Sequence, residues 1–200
     1  MIKAVILDLN GVFVTSQKLS ERFRDYLGVP EAQFLPVLEE SLGKMRLPGA
    51  GDGYAYFEPH LKAWGTVLPP KLFWNFWFDP EEAVPEIVGL VEAVREHGAK
   101  VVILSNNFKE RTDYYDHQFP FLRSLTDAVY YSWQTGFVKS DARAYQKVLA
   151  DFNLQPSEVL FFDDGKENIA VAKSLGINAF FFEGIAATRE VLKKFLGLSF

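Results

Sequence analysis

The sequence contains no cysteine among its 200 residues. This absence excludes a disulfide framework, a zinc site built from thiolates and a catalytic thiol. A reducing compartment suits such a composition, so we expect a cytoplasmic protein.

The chain also lacks an excess of positive charge and a long apolar run. Its formal net charge is -5, and its Lys and Arg residues are scattered, which disfavours nucleic acid and an anionic membrane surface as partners. No stretch reaches the roughly 18 apolar residues that a membrane-spanning helix needs. We therefore expect a soluble protein that is not exported. Nothing in the sequence indicates its oligomeric state.

What the chain does contain is a pattern typical of a parallel sheet. Hydrophobic residues make up 48% of it, enough for one well-cored domain with a small insertion. Short β-branched and aromatic runs alternate with helical patterns in the second half, as in strand-helix-strand units. Gly98 and Gly176 stand where intervening helices should end, because glycine adopts the left-handed conformation at little steric cost. The predicted strands are 4–7, 100–104, 127–131, 158–162 and 178–182.

A long gap interrupts this rhythm after the first predicted strand. About 90 residues separate it from the second strand, although a single crossover helix needs far fewer. The gap has helical, strongly aromatic patterns, so we predict a small helical domain (15–79) over the end of a sheet domain (1–14 and 80–200). The aromatic run LFWNFWF (72–78) fits the core of this helical domain, with the lining of a substrate pocket as the alternative.

Polar side chains stand at the carboxyl ends of three predicted strands. Asp8 follows the first strand, Ser105 the second, and Asp163 and Asp164 the fourth, while Lys139 precedes the fourth strand-helix unit. In open parallel sheets, ligands bind in the crevice at these ends, near the point where the strand order reverses. Converging carboxylates without a cation would repel one another, and all-oxygen ligands suit magnesium. The sequence therefore predicts a Mg²⁺ site.

These residues lie in short motifs whose order and spacing resemble those of the haloacid dehalogenase (HAD) superfamily. The resemblance covers 1–14 and about 80–200. It implies an α/β three-layer sandwich whose parallel sheet has the strand order 5-4-1-2-3, together with a small helical cap. The motifs are ILDLNGVF (6–13), ILSNN (103–107), GFVKSDARAY (136–145) and FFDDGKEN (161–168).

The same resemblance implies a role for each motif in phosphoryl transfer. Asp8 would be the nucleophile that takes the phosphoryl group as an aspartyl phosphate. Ser105, Asn106 and Lys139 would bind the phosphoryl oxygens, and Lys139 would also offset the negative charge around Asp8. A carboxylate attacks a phosphate dianion only where their mutual repulsion is neutralised, which a lysine and a divalent cation achieve together.

The metal ligands implied by the resemblance are the carboxylates of Asp8 and Asp164 and the backbone carbonyl of Asn10. Asp163 and Asn168 would support these ligands or reach the metal through water. An alternative role for Asp163 is to cap the helix that follows it.

Asn10 departs from the family pattern. Phosphatases of the family usually carry an acid two residues after the nucleophile, which protonates the leaving oxygen and then activates the hydrolytic water. An amide does neither, and such acid-base help is worth about 10²- to 10⁴-fold in rate. We therefore expect a magnesium-dependent phosphatase of small phosphorylated metabolites, attenuated at these two steps.

Two alternatives remain open at the sequence level. One is a weakened or non-catalytic member that binds a phosphorylated ligand or a protein partner. The other is a 2-haloacid dehalogenase, because a halide leaves without a proton. That branch uses no metal, however, and its fourth motif resembles Ser-Ser-Asn, where this chain has the pair Asp163 and Asp164.

Overall fold

The computed structural model describes residues 1–199. Strands and helices alternate through most of this range, with a run of helices alone between β2 and β3. The elements are β1 (Ala4–Leu7), β2 (Val14–Thr15), α1 (Leu19–Leu27), α2 (Glu31–Met45), α3 (Glu58–Ala63), α4 (Pro70–Phe78), β3 (Glu82–Ala83), α5 (Pro85–Glu96), β4 (Lys100–Ser105), α6 (Lys109–Gln118), α7 (Phe121–Leu125), β5 (Ala128–Tyr131), α8 (Ser132–Thr135), α9 (Ala142–Asp151), β6 (Val159–Asp163), α10 (Lys166–Ser174), β7 (Asn178–Phe181) and α11 (Ile185–Leu196).

The main sheet has five strands in the order β5-β4-β1-β6-β7, and all its pairings are parallel. The strand labels in this order differ from those in the predicted order because β2 and β3, which lie outside the main sheet, form a separate antiparallel pair. Counted among the sheet strands alone, the order is the predicted 5-4-1-2-3, read from the opposite edge. Each predicted strand lies within one residue of an observed strand at both ends.

Both faces of the sheet are buried, which makes the core a three-layer sandwich, as predicted. Successive side chains of a strand point to opposite faces. In β1, Val5 and Leu7 pack with residues of α5 and α11 on one face. Ala4 and Ile6 pack with residues of α9 and α10 on the other face. The near-continuous apolar character of the strands follows from this double burial.

The helices α1 to α4 form an aromatic cluster of their own; we call residues 19–78 the helical insertion. In this cluster the rings of Phe23 and Phe34 stack with centroids 3.9 Å apart, and Phe73 lies 5.0 Å from Phe57. Phe108, which follows β4, joins the cluster from the core domain, with its ring centroid 5.2 Å from that of Trp77.

A short ribbon joins the two ends of the helical insertion. Val14 pairs with Ala83, and Thr15 pairs with Glu82. The sequence does not predict this ribbon, because two-residue strands are too short to show an alternating pattern. The ribbon and Phe108 together hold the insertion over the carboxyl ends of the strands.

Two further sequence-level expectations concern the helices. Gly98 and Gly176 have φ values of +89° and +84° and follow α5 and α10, as predicted. Across residues 1–199, no helix is both long enough and apolar enough to cross a membrane.

Candidate active site

The predicted site residues converge at one edge of the sheet. Asp8 follows β1, Asp163 ends β6 and Ser105 ends β4, and β1 lies between the other two strands. One carboxylate oxygen from each of Asp8, Asp163 and Asp164 lies within 4.8 Å of the others. Parallel strands in this order bring the three carboxylates into one oxygen-rich group.

Lys139 is buried and contacts two of these carboxylates. Its Nζ lies 2.6 Å from Asp8 Oδ1 and 2.5 Å from Asp163 Oδ2. Its backbone N–H donates to Asn106 Oδ1 at 2.8 Å. Burial lowers the pKa of Lys139, but the neighbouring carboxylates of Asp8 and Asp163 raise it by a larger amount. The pKa of Lys139 therefore lies above its ordinary value. The ammonium group therefore stays charged between the two acids.

Asp163 is fully buried and uses both of its oxygens within the protein. Oδ2 contacts Lys139, while Oδ1 accepts from the Gly165 N–H at 2.7 Å and from Asn168 Nδ2 at 2.8 Å. These bonds lie at the start of α10. A Cβ atom at position 165 would stand 2.8 Å from Asp163 Oδ1, so the glycine permits this close arrangement.

The electrostatics of Asp8 favour a nearby cation. Burial raises the pKa of Asp8 from 3.8 to about 6, against the opposing effect of Lys139 and with a further increase from Asp163. Burial, followed by Asp163, also raises the pKa of Asp164. Asp164 is exposed and has no ion pair within residues 1–199. This all-oxygen donor set, with more negative than positive charge, fits a magnesium ion.

Gly11 allows the loop after β1 to touch Asp164. Its φ is +83°, and a Cβ atom there would lie 2.8 Å from Asp164 Oδ2. An L-residue would therefore be strained and would also collide with the carboxylate. The glycine after Asn10 thus permits the close approach of this loop to Asp164.

The residues expected to bind phosphoryl oxygens occupy different environments. Asn106 lines a polar pocket together with Asp8 and Lys139. Ser105 is buried and is not among the residues that line this pocket. Its hydroxyl has no hydrogen-bond partner within residues 1–199. An unpaired buried hydroxyl costs about 1–3 kcal/mol, so Ser105 retains a donor for an incoming acceptor.

The side chain of Asn10 is hydrogen-bonded at both ends. Its Nδ2 donates to the Tyr115 hydroxyl at 2.6 Å, and its Oδ1 accepts from Asn107 Nδ2 at 3.4 Å. Burial, with a further contribution from nearby Glu81, raises the pKa of Tyr115 well above its usual range. A carboxylate at position 10 would have no proton to donate to Tyr115.

Two arginines complete the site, and the sequence analysis missed both. Arg46 comes from the end of α2 in the helical insertion, and Arg111 comes from α6; both line the polar pocket. Arg111 Nη2 lies 2.5 Å from Glu81 Oε1. Neither arginine lies in a recognisable motif, and the approach of Arg46 to the pocket depends on how the insertion packs. The pocket is lined by Asp8, Asn10, Arg46, Asn106, Arg111, Lys139, Asp164 and Asn168.

A second pocket of about 280 Å³ adjoins the first and is lined in part by the helical insertion. The two share Asn10, Arg111 and Asp164. The second pocket has mixed character, because apolar side chains of the insertion face polar residues that follow β2. Its other lining residues are Gly11, Val14, Thr15, Ser16, Gln17, Lys18, Leu19, Leu38, Leu42 and Trp77.

The sequence over residues 2–176 matches the family model of haloacid dehalogenase-like hydrolases. This chain belongs to that family. The resemblance carried by the four motifs is thereby confirmed, and the protein is a HAD-like hydrolase.

Solved structures share the fold of this HAD-like hydrolase. The HAD family enzyme bt-2542 from Bacteroides thetaiotaomicron, in complex with magnesium and inorganic phosphate, is 21% identical with a TM-score of 0.73 over 90% of this chain and 94% of that one. The L-2-haloacid dehalogenase RSc1362 is 17% identical with a TM-score of 0.70 over 91% of this chain and 86% of that one. At these identities the likeness shows the fold alone.

Curated relatives match this HAD-like hydrolase over only part of their length. The D-ribitol-5-phosphate phosphatase of Bacteroides thetaiotaomicron is 37% identical over 71 residues, which are 36% of this chain and 34% of that protein. The chain spans 9%, 29% and 50% of the length of three other curated relatives.

Proposed function

We propose that this HAD-like hydrolase is a magnesium-dependent phosphatase of small phosphorylated metabolites that forms an aspartyl phosphate on Asp8. The observation that carries the proposal is the position of Asp8. Its carboxylate lies 2.6 Å from the ammonium of Lys139 and shares an oxygen cluster with Asp163 and Asp164. A nucleophile, a charge-neutralising lysine and a metal-binding group therefore meet in one pocket.

The two oxygens of Asp8 have different roles in this proposal. Oδ1 accepts from the Leu9 N–H at 2.7 Å and contacts Lys139, which leaves Oδ2 to bond to phosphorus as the bond between phosphorus and the leaving oxygen breaks. Water then hydrolyses the aspartyl phosphate, which releases phosphate and restores the Asp8 carboxylate. Lys139 and the side chain of Asn106 hold the phosphoryl oxygens, and the unpaired hydroxyl of Ser105 donates to one of them. These fixed donors need little rearrangement as charge develops in the transition state.

Asp8, Asp164 and the backbone carbonyl of Asn10 would hold the metal. When bound, magnesium neutralises part of the phosphate charge and polarises the phosphoryl group. Asp163 supports the site indirectly, because its oxygens are engaged by Lys139, Gly165 and Asn168. We therefore assign Asp163 to orienting Lys139 and leave the direct coordination to the other two carboxylates.

The organic part of the substrate would occupy the second pocket. Leu38, Leu42 and Trp77 supply apolar contacts there, which suits a small, partly apolar leaving group. Asn10 lines both pockets and has no transferable proton near neutral pH. Esters whose leaving groups depart without protonation should therefore be the better substrates.

The paired amide of Asn10 favours a second candidate function, that of a binding protein with little or no turnover. Because both ends of this amide are hydrogen-bonded to Tyr115 and Asn107, the site is built around the residue that lacks acid-base chemistry. Such a protein would bind a phosphorylated ligand or a protein partner and release no phosphate.

A phosphate-ester panel with and without magnesium separates the candidates. Release of phosphate from p-nitrophenyl phosphate should require magnesium and should be abolished in Asp8→Asn. Asp25→Asn, an exposed aspartate that lines neither pocket, is the control and should retain activity. Saturable binding of esters without turnover would favour the binding protein. Halide release from a 2-haloacid without metal would contradict both.

A further inference from the structure

Arg46 brings an unmatched positive charge into the polar pocket. Its Nε is buried without a hydrogen-bond partner, and its guanidinium has no ion pair within residues 1–199. Asp8 and Arg111 are the charged groups whose fields act on it. Burying a charge without a partner is costly, so this position is suited to an incoming anion.

The acids near Arg46 are already matched by other cations. Lys139 contacts Asp8 and Asp163, and the proposed magnesium balances the remaining carboxylate charge with Asp164. Glu81 pairs with Arg111. Among the cations that line the pocket, Arg46 is therefore the one without an acidic partner within residues 1–199.

The charge balance also indicates which anion Arg46 contacts. With magnesium present, the pocket carries about one net positive charge, and the phosphoryl group of a monoester already brings up to two negative charges. A substrate with a second acidic group would leave a larger excess of negative charge in a buried site. One phosphoryl group therefore matches the pocket better than a phosphoryl group plus another acid.

Arg46 belongs to the helical insertion, whereas Asp8, Asn106 and Lys139 belong to the core domain. The chain after Arg46 returns to the core at Gly53, whose N–H donates to Glu110 Oε1 at 2.7 Å. A Cβ atom at Gly53 would lie 2.8 Å from Glu110 Oε1 and 2.5 Å from the terminal methyl carbon of Met45. This close contact fixes the segment that carries Arg46 above the pocket.

We propose that Arg46 binds the transferred phosphoryl group itself and thereby couples the position of the helical insertion to phosphate. The inference rests on the proposed function, because it assumes that a phosphoryl group enters this pocket. A guanidinium suits the role, since it donates two parallel hydrogen bonds to phosphate oxygens.

Binding of inorganic phosphate in the presence of magnesium tests this inference without requiring turnover. Isothermal titration of Arg46→Gln should show an affinity about 10- to 100-fold below that of the unmodified protein. Arg46→Lys should recover part of the loss. Arg24→Gln is the matched control, because Arg24 lies exposed in the same insertion and its loss changes the net charge equally. Thermal denaturation without phosphate verifies that each variant folds.

Hydrogen exchange provides a readout that a merely structural role of Arg46 would not change. At saturating phosphate, amide exchange in residues 42–53 should slow in the unmodified protein and in Arg24→Gln, but not in Arg46→Gln. Unchanged phosphate affinity in a folded Arg46→Gln variant would overturn the inference, as would a loss confined to esters that carry a second acidic group.

The same titration distinguishes the inference from the proposed function. Phosphate binding that depends on Arg46, without turnover of any ester, would refute the phosphatase and leave the phosphoryl-binding role intact. Failure of the unmodified protein to bind phosphate with magnesium would overturn both.

Discussion

Lys139 stabilises two buried carboxylates that the fold would otherwise leave uncompensated. Its replacement by methionine removes the contacts with Asp8 and Asp163 but preserves most of the side-chain volume. We expect the free energy of unfolding of the metal-free protein to fall by about 3–5 kcal/mol, as measured by urea denaturation. The reason is that Asp163 is fully buried and would lose its only cation among the described residues.

Lys147→Met provides the control for this substitution. Lys147 contacts Asp151 at 3.0 Å, but both side chains are 40% exposed, and exposed pairs contribute less than about 1 kcal/mol. Equal losses for the two variants would contradict the assignment of Lys139 as the central cation of the site.

Asn10→Asp tests whether the missing acid limits turnover. An aspartate at this position can protonate the leaving oxygen, so kcat on alkyl phosphates should rise by up to about 10²- to 10⁴-fold, with a much smaller gain on p-nitrophenyl phosphate. The same change removes the Nδ2 donor to the Tyr115 hydroxyl, so stability should fall by about 1–3 kcal/mol. A phosphate-release assay and urea denaturation measure the two effects.

The ratio of the two substrates supplies the internal control for Asn10→Asp. A general acid changes this ratio, whereas altered folding or metal binding changes both rates alike. A folded variant with no gain on alkyl phosphates would mean that another group already supplies the proton or that the site does not catalyse.

At the scale of loops and strands, Gly11 fixes the approach of the first loop to Asp164. Gly11→Ala adds a Cβ atom 2.8 Å from Asp164 Oδ2 at a φ of +83°. We expect the magnesium affinity to fall by about 10- to 100-fold, the range seen when groups that orient metal ligands are changed. Titration calorimetry with magnesium measures it.

Gly28→Ala is the matched control for the Gly11 substitution. Gly28 has a φ of +66° at the end of α1, and a Cβ atom there would meet nothing within 4 Å. Both variants should lose about 1–2 kcal/mol of stability from the left-handed backbone, but Gly28→Ala should retain its magnesium affinity. Equal magnesium affinities of Gly11→Ala and Gly28→Ala would show that the Asp164 side chain moves away from the added Cβ atom without weakening the metal site.

The same scale explains what the sequence could and could not predict. Each sheet strand is a short apolar run next to a polar residue, so strand positions and the convergence of Asp8, Asp163 and Asp164 follow from local patterns and the rules of parallel sheets. Arg46 and Arg111 carry no such signal. The approach of Arg46 to Asp8 depends on aromatic packing between the helical insertion and Phe108, whereas Arg111 reaches the pocket from α6. Both approaches are long-range and leave no periodic trace in the sequence.

For the whole molecule, the buried acids make stability depend on pH. The pKa of Asp8 in the folded, metal-free protein is about 6, compared with its ordinary value of 3.8. Between these values the folded state binds more protons than the unfolded state, so stability decreases as the pH rises from about 4 to 6. The size of the effect is on the order of 3 kcal/mol. Asp164, whose pKa is also raised, acts in the same direction.

Magnesium should reverse this loss, because it binds the ionised carboxylates and stabilises the folded state in proportion to its occupancy. We expect magnesium to raise the melting temperature clearly at pH 8 and little at pH 4.5, where Asp8 is protonated in the folded protein. Scanning fluorimetry across this range, with and without magnesium, measures the difference. In Asp8→Asn the pH dependence of the metal-free protein should be flatter and the magnesium shift smaller. An equal magnesium shift at both pH values would mean that the ion binds elsewhere, because a site containing Asp8 must release a proton to bind metal at low pH.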